Sequence, residues 1–365
     1  MMSHAWSGSY ALALVLLLGW SDIVQPGDVQ ADCSVEATGV GTESALIIHL
    51  SPGCTPAEQE ARAIASAAIM EAVAKGRVVD LMGVTVQGDL IFDRLAVQMP
   101  QSGIGERPNE QGGTNQPHVE EQRLVRQAVI IRNSILSGAM RHRSVKGTLQ
   151  FEGAVDFRGT VFKEGVDLSR SVFLRSVTLS GATFEKEAYF VQGQFAQALE
   201  CRETRFGPHT RFHRSVFRGP VDCAGALFDG LAELLEVHFD QTATFERVRF
   251  GSGTGFSGSR FKQRTRFDDA IFSRDAFFGF GLFEGETSFA GAQFLGNADF
   301  SEAEFTKPDD LARARFDHPP LFARTKRAVH DPPSELAASP TVQYGLTVLC
   351  LVAAAVLVGY ALKLR

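Results

Sequence analysis

The residues with the clearest chemical potential in this 365-residue chain are five cysteines, at positions 33, 54, 201, 223 and 350. Cys33 and Cys54 bracket the apolar stretch ALIIHL, residues 45 to 50, and an oxidising compartment would join them in a disulfide; two buried thiols are the alternative. Cys201 and Cys223 fall 22 residues apart, one full period of the repeat described below, so their Cα atoms come within bridging range. A bond there must also satisfy the disulfide dihedral, which leaves a bridge and small apolar filler as alternatives. Cys350 sits inside a long apolar run and is expected to be inert.

His209 and His213 have the i, i+4 spacing of a helical metal pair, yet they flank Phe212 in repeat corners, which removes the shared helical face a metal needs. Glu233, Glu236, Asp268 and Asp269 are carboxylates of the type that cleave glycosidic bonds in pairs. They occupy positions that are polar in every repeat, so a solvated face is the expectation. The sequence contains no nucleophile elbow, phosphate loop or dinucleotide fingerprint. It therefore implies no catalytic centre, no metal and no cofactor.

What positions these side chains is a repeat. From Phe157, steps of five and six residues in alternation land only on Phe, Leu or Cys as far as Phe305, and 23 of the 28 positions are Phe. With 29 Phe against 4 Tyr and 2 Trp, the chain asks for rings without a polar atom, as a dry and repetitive interior does. Two residues before each landing point stands a small or slim side chain, such as Ala182, Ala226, Val248, Thr265 or Ala292. Two residues after it stands, often, a glycine: Gly159, Gly181, Gly219, Gly225, Gly230, Gly258, Gly285, Gly291 and Gly296. A large and a small residue thus point inward together, and glycine takes a corner where a positive φ costs little. Intervening residues such as Arg264 and Glu302 face water.

Four steps close a 22-residue coil. One stacked column then reads Phe162, Phe184, Phe206, Phe228, Phe250, Phe272, Phe294, and another Phe173, Phe195, Phe217, Phe239, Phe261, Phe283, Phe305. A third is mixed: Phe157, Leu179, Cys201, Cys223, Phe245, Phe267, Phe289. At a strand-like spacing of about 4.8 Å, these seven coils form a rod of roughly 34 Å. Each coil buries its core only against its neighbours, so the ends of the stack need covers.

A central Phe or Leu with Ala two residues earlier, as in ADFSEAEF at 298–305, resembles the pentapeptide-repeat family. The resemblance covers residues 151 to 305. It implies an all-β fold, a right-handed quadrilateral β-helix. The departure is the alternating step, where the plainest members keep five throughout. A helix followed by VDL and then GDL, at 79–81 and 88–90, is similar to the start of many exported members, which implies an exported protein.

Outside the regular coils the period loosens. Earlier inward residues are expected at Phe151, Val145, Met140, Ile135 and Ile130, and before them Leu81, Val86 and Phe92. Residues 79–150 read as irregular first coils with a Gly-, Pro- and Asn-rich loop inserted at 95–122. Within the N-terminal segment 32–78, Thr55-Pro56-Ala57-Glu58 opens a helix that Gly76 closes. Its apolar face, Ile64, Ile69, Met70 and Val73, suits it to lie over the N-terminal end of the stack. At the other end, Leu311, Phe316 and Phe322 extend the β-helix of 151–322 past Phe305, before a linker at 323–341.

Both termini are apolar. Tyr10 to Trp20 has the length of a signal-peptide core, and Val29-Gln30-Ala31 offers a small-residue cleavage site, so 1–31 reads as a secretory signal, with a retained anchor as the alternative. Tyr344 to Leu362 carries no charge over nineteen residues and precedes Lys363 and Arg365, the pattern of a membrane helix (342–362) with a cytoplasmic tail (363–365). The formal charge is −6, and residues 151–305 hold 22 acidic against 17 basic side chains. That balance argues against a nucleic-acid partner and leaves no strongly acidic face for mimicking one. The expected function is an extracytoplasmic, membrane-tethered scaffold or protein-interaction module whose partner the sequence does not identify. An enzyme acting on cell-envelope polysaccharide is the alternative. Phe277 and Phe280 fall outside the inward register and, with Leu282, are the candidates for an exposed interaction patch.

Overall fold

The computed structural model describes residues 33–38, 45–98, 121–142 and 147–328. The expected signal segment, most of the 95–122 loop, Val145 and the expected membrane helix lie outside the described residues. Among the described residues, no helix is long and apolar enough to cross a membrane.

The chain winds as a parallel β-solenoid of about eleven turns, its short strands stacked in four sheets of 11, 9, 10 and 11 strands. One coil shows the plan: Val155–Asp156 lies on the first face, Val161–Phe162 on the second, Val166–Asp167 on the third and Ser171–Phe173 on the fourth. Each strand pairs with the one a coil later, Phe162 against Phe184 for example. Strands of two or three residues have no stability of their own, so the hydrogen bonds and side chains between coils carry the fold.

All 28 landing positions from Phe157 to Phe305 are buried, none more than 4% exposed. In the second- and fourth-face columns the rings stack nearly parallel, with centroids 4.5 to 5.2 Å apart, so ring spacing and strand spacing coincide. The slim position beside each ring tolerates Ser or Thr because the neighbouring coil supplies partners. Ser259 Oγ donates to the Leu234 carbonyl (2.6 Å) and accepts from the Val237 N–H (3.0 Å), a clip between adjacent coils that Ser215 repeats with Phe190 and Gly193. Where Leu168 and Leu179 stand in place of Phe, a dry void of about 10 Å³ remains among their neighbours, room for one water at most and lined only by apolar side chains.

The corner glycines divide into two kinds. Within each five-residue step the second residue has positive φ, as at Gly258 (φ 70°), and Gly159, Gly181, Gly225 and Gly291 share that geometry. Gly219, Gly230, Gly285 and Gly296 lie within the six-residue steps and do not. There the constraint is contact: a Cβ on Gly285 would lie 2.2 Å from the Gln263 carbonyl carbon of the coil before. The expectation of one cause for all nine is thereby corrected.

Near the N-terminus, β1 (Val35–Thr38) runs antiparallel to β2 (Ala45–Leu50), and β2 starts the first-face sheet. The helix expected over 55–75 is two: α1 (Pro56–Ala61), opened by the Thr55–Glu58 capping box, and α2 (Ser66–Ala74). Between them β3 (Ile64–Ala65) pairs with Val86–Gln87 as the first strand of the second-face sheet, and that pairing breaks the helix. Helix α2 buries Ile69, Ala72 and Val73, and β4 (Val78–Met82) follows it. In the next coil the expected inward residues Ile130 and Ile135 are only half-buried, while Ile131 and Leu136 fill the core. Leu136 pairs with Phe162, 26 residues on, so four extra residues at this coil shift the register by one position. Phe151, Met140, Leu81, Val86 and Phe92 are buried at the inward positions assigned to them.

Candidate functional site

The interior is filled by the fold, so function belongs to outer faces. The third face presents three outward columns: the residue three before each inward position (Glu187, His209, Leu231, Gly253, Asp275, Asn297), the residue just before it, which ends each strand (Tyr189, Arg211, Glu233, Gly255, Phe277, Asp299), and the residue after it. Successive strand-end residues are direct register partners, Gly255 against Phe277 and Phe277 against Asp299. Among the described residues, six of the nine exposed large apolar side chains lie on this face or its edges: Leu231, Phe277, Phe280, Leu295, Leu321 and Phe322.

Phe277 is 44% exposed and Phe280, at the following corner, 66%. The corner holds Phe280 at φ 58°. Equivalent corners elsewhere are occupied by Arg170, Gln192, Arg214, Glu236, Gly258, Glu302 and Arg324, which are long and polar or lack a side chain. A left-handed backbone costs a side-chain-bearing residue roughly 1–2 kcal/mol, and the Phe280 ring is too exposed to recover that by burial. The coil before it, Gly253 to Gly258, presents little but backbone. Leu235 folds over that floor, so a Cβ on Gly255 would meet Leu235 Cδ2 at 2.6 Å, and Leu231 and Leu235 thereby continue the apolar surface from Phe277.

Two other constellations stand out. On the third face the Tyr189 hydroxyl is 3.2 Å from His209 Nδ1, His209 Nε2 is 2.8 Å from Glu233 Oε2, and Arg211 pairs with Glu233 while lying over the Tyr189 ring. Burial pushes the Tyr189 phenol above its ordinary pKa. Burial also acts to raise the Glu233 carboxyl, but the hydrogen bonds from His209 and Arg211 outweigh it and hold the group below its ordinary value. On the first face a cleft of about 580 Å³ opens where the short 3-10 helix Leu311–Arg313 replaces a regular strand. Arg264, Arg266, Asp268, Ser288 and Asp310 line it, with Ser288 Oγ bonded to Asp268 and 2.9 Å from Asp310.

Residues 150–194 and 168–216 match the family described as Pentapeptide repeats (9 copies). This segment is made of pentapeptide repeats. The same coil continues from it without a register break to Phe305, so the scaffold that carries the third face is a pentapeptide-repeat β-helix. No curated protein and no solved structure matches the chain.

The pentapeptide-repeat geometry scatters the carboxylates singled out from sequence. Glu233 lies on the third face, Glu236 at its corner with Arg214 (2.8 Å), Asp268 on the first face with Arg266 (2.7 Å), and Asp269 at a corner with φ 55°. Glu233 and Glu236 thus lie on one side of the rod and Asp268 and Asp269 on another, so the four do not converge. His213 takes no part in the His209 network. Leu282 faces outward on the fourth face, half-buried, around the corner from Phe280. Cys33 and Cys54 are bonded, Cα atoms 4.3 Å apart, and Cys201 and Cys223 are bonded across adjacent coils, Cα atoms 4.4 Å apart.

Sequence reasoning missed the Tyr189–His209–Glu233 network, although stepping 22 residues from Tyr189 finds Arg211 and Glu233. It also missed His142 and Arg123, which point inward. His142 is 2% exposed, occupies a position that is Leu or Phe in the coils that follow, and has Asp93 at 3.8 Å as a charged neighbour. Arg123 takes the slim position in the column of Leu149 and Ser171, its Nε donating to the Asp93 carbonyl. The four-residue insertion hid both.

Proposed function

We propose that this pentapeptide-repeat β-helix is an extracytoplasmic scaffold, tethered to a membrane by residues 342–362, that binds a protein partner through the third face around Phe277 and Phe280. The observation that carries the reading is Phe280, a bulky apolar side chain kept exposed at a corner whose backbone disfavours it, beside a second exposed ring. An apolar ring kept exposed at a corner where the other coils carry long polar side chains or glycine points to selection for something outside the chain. The filled interior supports the same conclusion, since among the described residues the inward positions of the coils are taken up by packing. Export is supported by the two cysteine bridges, which persist in oxidising compartments, and by the apolar terminal runs. Helix α2 with β1 and β2 acts as the N-terminal cover of the stack.

A reporter active only outside the cytoplasm, fused at Ala337, tests the tether; silence there with activity from a cytoplasmic reporter overturns it. For the surface, the Phe277→Ser, Phe280→Ser double variant should keep its β circular dichroism and lose partners recovered from membranes. Identical recovery removes the patch from the interface. The cleft beside Asp268 supports one second reading, a glycan-cleaving enzyme. Turnover of envelope polysaccharide by the purified chain, abolished in Asp268→Asn, would replace the scaffold reading with that one.

A further inference from the structure

We infer that the third-face patch receives a cationic, apolar polypeptide segment, which places an aliphatic or aromatic side chain against Phe277 and Phe280 and a Lys or Arg beside Asp275 and Asp299. This rests on the reading of the patch as an interface and adds the chemistry of its occupant. The argument begins from how the solenoid treats charge. Around this patch the other carboxylates each hold a cation: Glu233 with Arg211, Glu236 with Arg214, Glu284 with Arg260, Glu302 with Arg324 and Glu304 with Lys326. Asp275 and Asp299 do not. Asp275 accepts only from the Asn297 backbone and side-chain amides (2.9 and 3.0 Å), and Asp299 only from the Ser301 N–H (2.8 Å). Among the described residues neither has a cationic partner.

These two carboxylates flank Phe277. Asp275 lies two residues before Phe277, just ahead of the strand Ala276–Phe277, and Asp299 is the register partner of Phe277 in the next coil. Two aromatic rings and two carboxylates without counter-ions therefore share one small surface. The low floor of Gly253 to Gly258 on the N-terminal side, covered by Leu235, and the short side chains of Asn297, Asp299 and Ser301 on the C-terminal side flank the rings. A chain laid along the strands would reach ring faces and carboxylates together. A guanidinium or ammonium group there gains from both, through charge pairing and through attraction to the ring faces. An acidic segment would meet repulsion from both aspartates, and a neutral glycan would leave their charges unmatched.

The test uses the full chain held in lipid nanodiscs and a phage-displayed library of random dodecapeptides. Panning on the parent, with counter-selection on Phe277→Ser, Phe280→Ser, should enrich peptides that combine Lys or Arg with aliphatic or aromatic residues. Synthetic copies should bind at least tenfold more weakly to Asp275→Asn, Asp299→Asn, and their affinity for the parent should fall as salt rises. If enriched peptides lose binding to the Phe variant but keep it in the Asp variant, the cationic assignment is overturned while the interface reading stands. If nothing separates the parent from the Phe variant, both fail. Patch-dependent binding of acidic peptides or envelope polysaccharide, tested in parallel, also overturns the assignment.

Discussion

The coils from Val155 to Phe305 and the coils before them solve the same packing problem with different side chains. In the later coils two columns are phenylalanine throughout, each ring lies on an identical ring, and the coil length never departs from 22 residues. In the earlier ones the corresponding columns hold Val86 and Leu136, or Val125 before Phe151, and the register steps become 50 and 26 residues. Flat rings interlock only at one spacing and one register, so an insertion inside the ladder would unstack every ring around it. Branched aliphatics make no such demand. The longer register steps fall in these aliphatic coils, and so do the polar inward residues His142 and Arg123. Uniform aromatic stacking thus gives rigidity and forbids variation, while a mixed aliphatic core tolerates both insertion and polar intrusion.

The largest effect should come from breaking a ring column. Phe250 is fully buried, with Phe228 and Phe272 stacked on either side at 5.1 and 5.0 Å. Phe250→Ala should cost about 3 to 5 kcal/mol in denaturant unfolding, because the rigid neighbours cannot collapse into the cavity. Leu136→Ala, in the same column at its aliphatic end, should cost less, near 2 to 3 kcal/mol, since the branched surroundings relax. Equal losses would contradict the contrast between the two regions.

His142 offers the opposite experiment. Burial holds its pKa below the ordinary 6.5, with Asp93 and Asp167 acting to raise it and Arg123 to lower it. Above that value both folded and unfolded chains carry a neutral ring. As pH falls through 6.5 the unfolded chain takes up the proton first, so stability is lost from there down toward the folded pKa. His142→Phe, which restores the column's ordinary occupant, should raise stability at pH 7 by about 1 to 2 kcal/mol and remove that part of the acid sensitivity. A variant with the parent's pH profile would show that His142 is not the group responsible.

How much of this was legible in the sequence follows the same division. The all-β coil, its 22-residue length and every inward residue from Phe157 to Phe305 could be read directly, because a side chain repeated at fixed spacing reports its own environment. Ile130 and Ile135 were assigned inward and Ile131 and Leu136 are there instead: among aliphatics on both faces of a strand, composition does not distinguish inside from outside, and a hidden insertion moves the register by one. The single helix expected at 55–75 concealed β3, since Ile64 fits a helical face and a strand equally well. Of the candidate surface, Phe277 and Phe280 were visible as rings out of step. What made them informative, the positive φ at Phe280 and the unneutralised Asp275 and Asp299, needed the coils to be stacked.

The corner itself can be tested. Phe280 and Gly258 occupy the same corner in consecutive coils, at φ 58° and 70°. Phe280→Gly removes a left-handed penalty of roughly 1–2 kcal/mol and adds about 0.5–1 kcal/mol of unfolded-state entropy, a net gain of about 0.5 to 1 kcal/mol. Gly258→Phe should lose a similar amount. A destabilised Phe280→Gly would mean that the ring packs within the chain, and the case for an outward role would go with it.

The smallest effect belongs to the outer ladder of the regular coils. Arg264 pairs with Glu286 one coil later at 2.8 Å, but the two side chains are 64% and 68% exposed. In water and salt such a pair gains little over its separately solvated ions, and holding two long side chains together costs entropy, so Arg264→Ala should change stability by no more than about 0.5 kcal/mol. Its counterpart in the earlier coils is Arg132, which with His49 converges on Asp80 at 3.1 and 3.0 Å, where the side chains are 29%, 19% and 23% exposed. Poorer solvation leaves Asp80 more dependent on its partners, and Arg132→Ala should be measurably worse than Arg264→Ala, with the gap surviving high salt because half-buried charges are screened less. If the two variants unfold alike at both low and high ionic strength, the earlier coils draw no more on electrostatics than the phenylalanine ladder does, and their aliphatic packing alone must hold them.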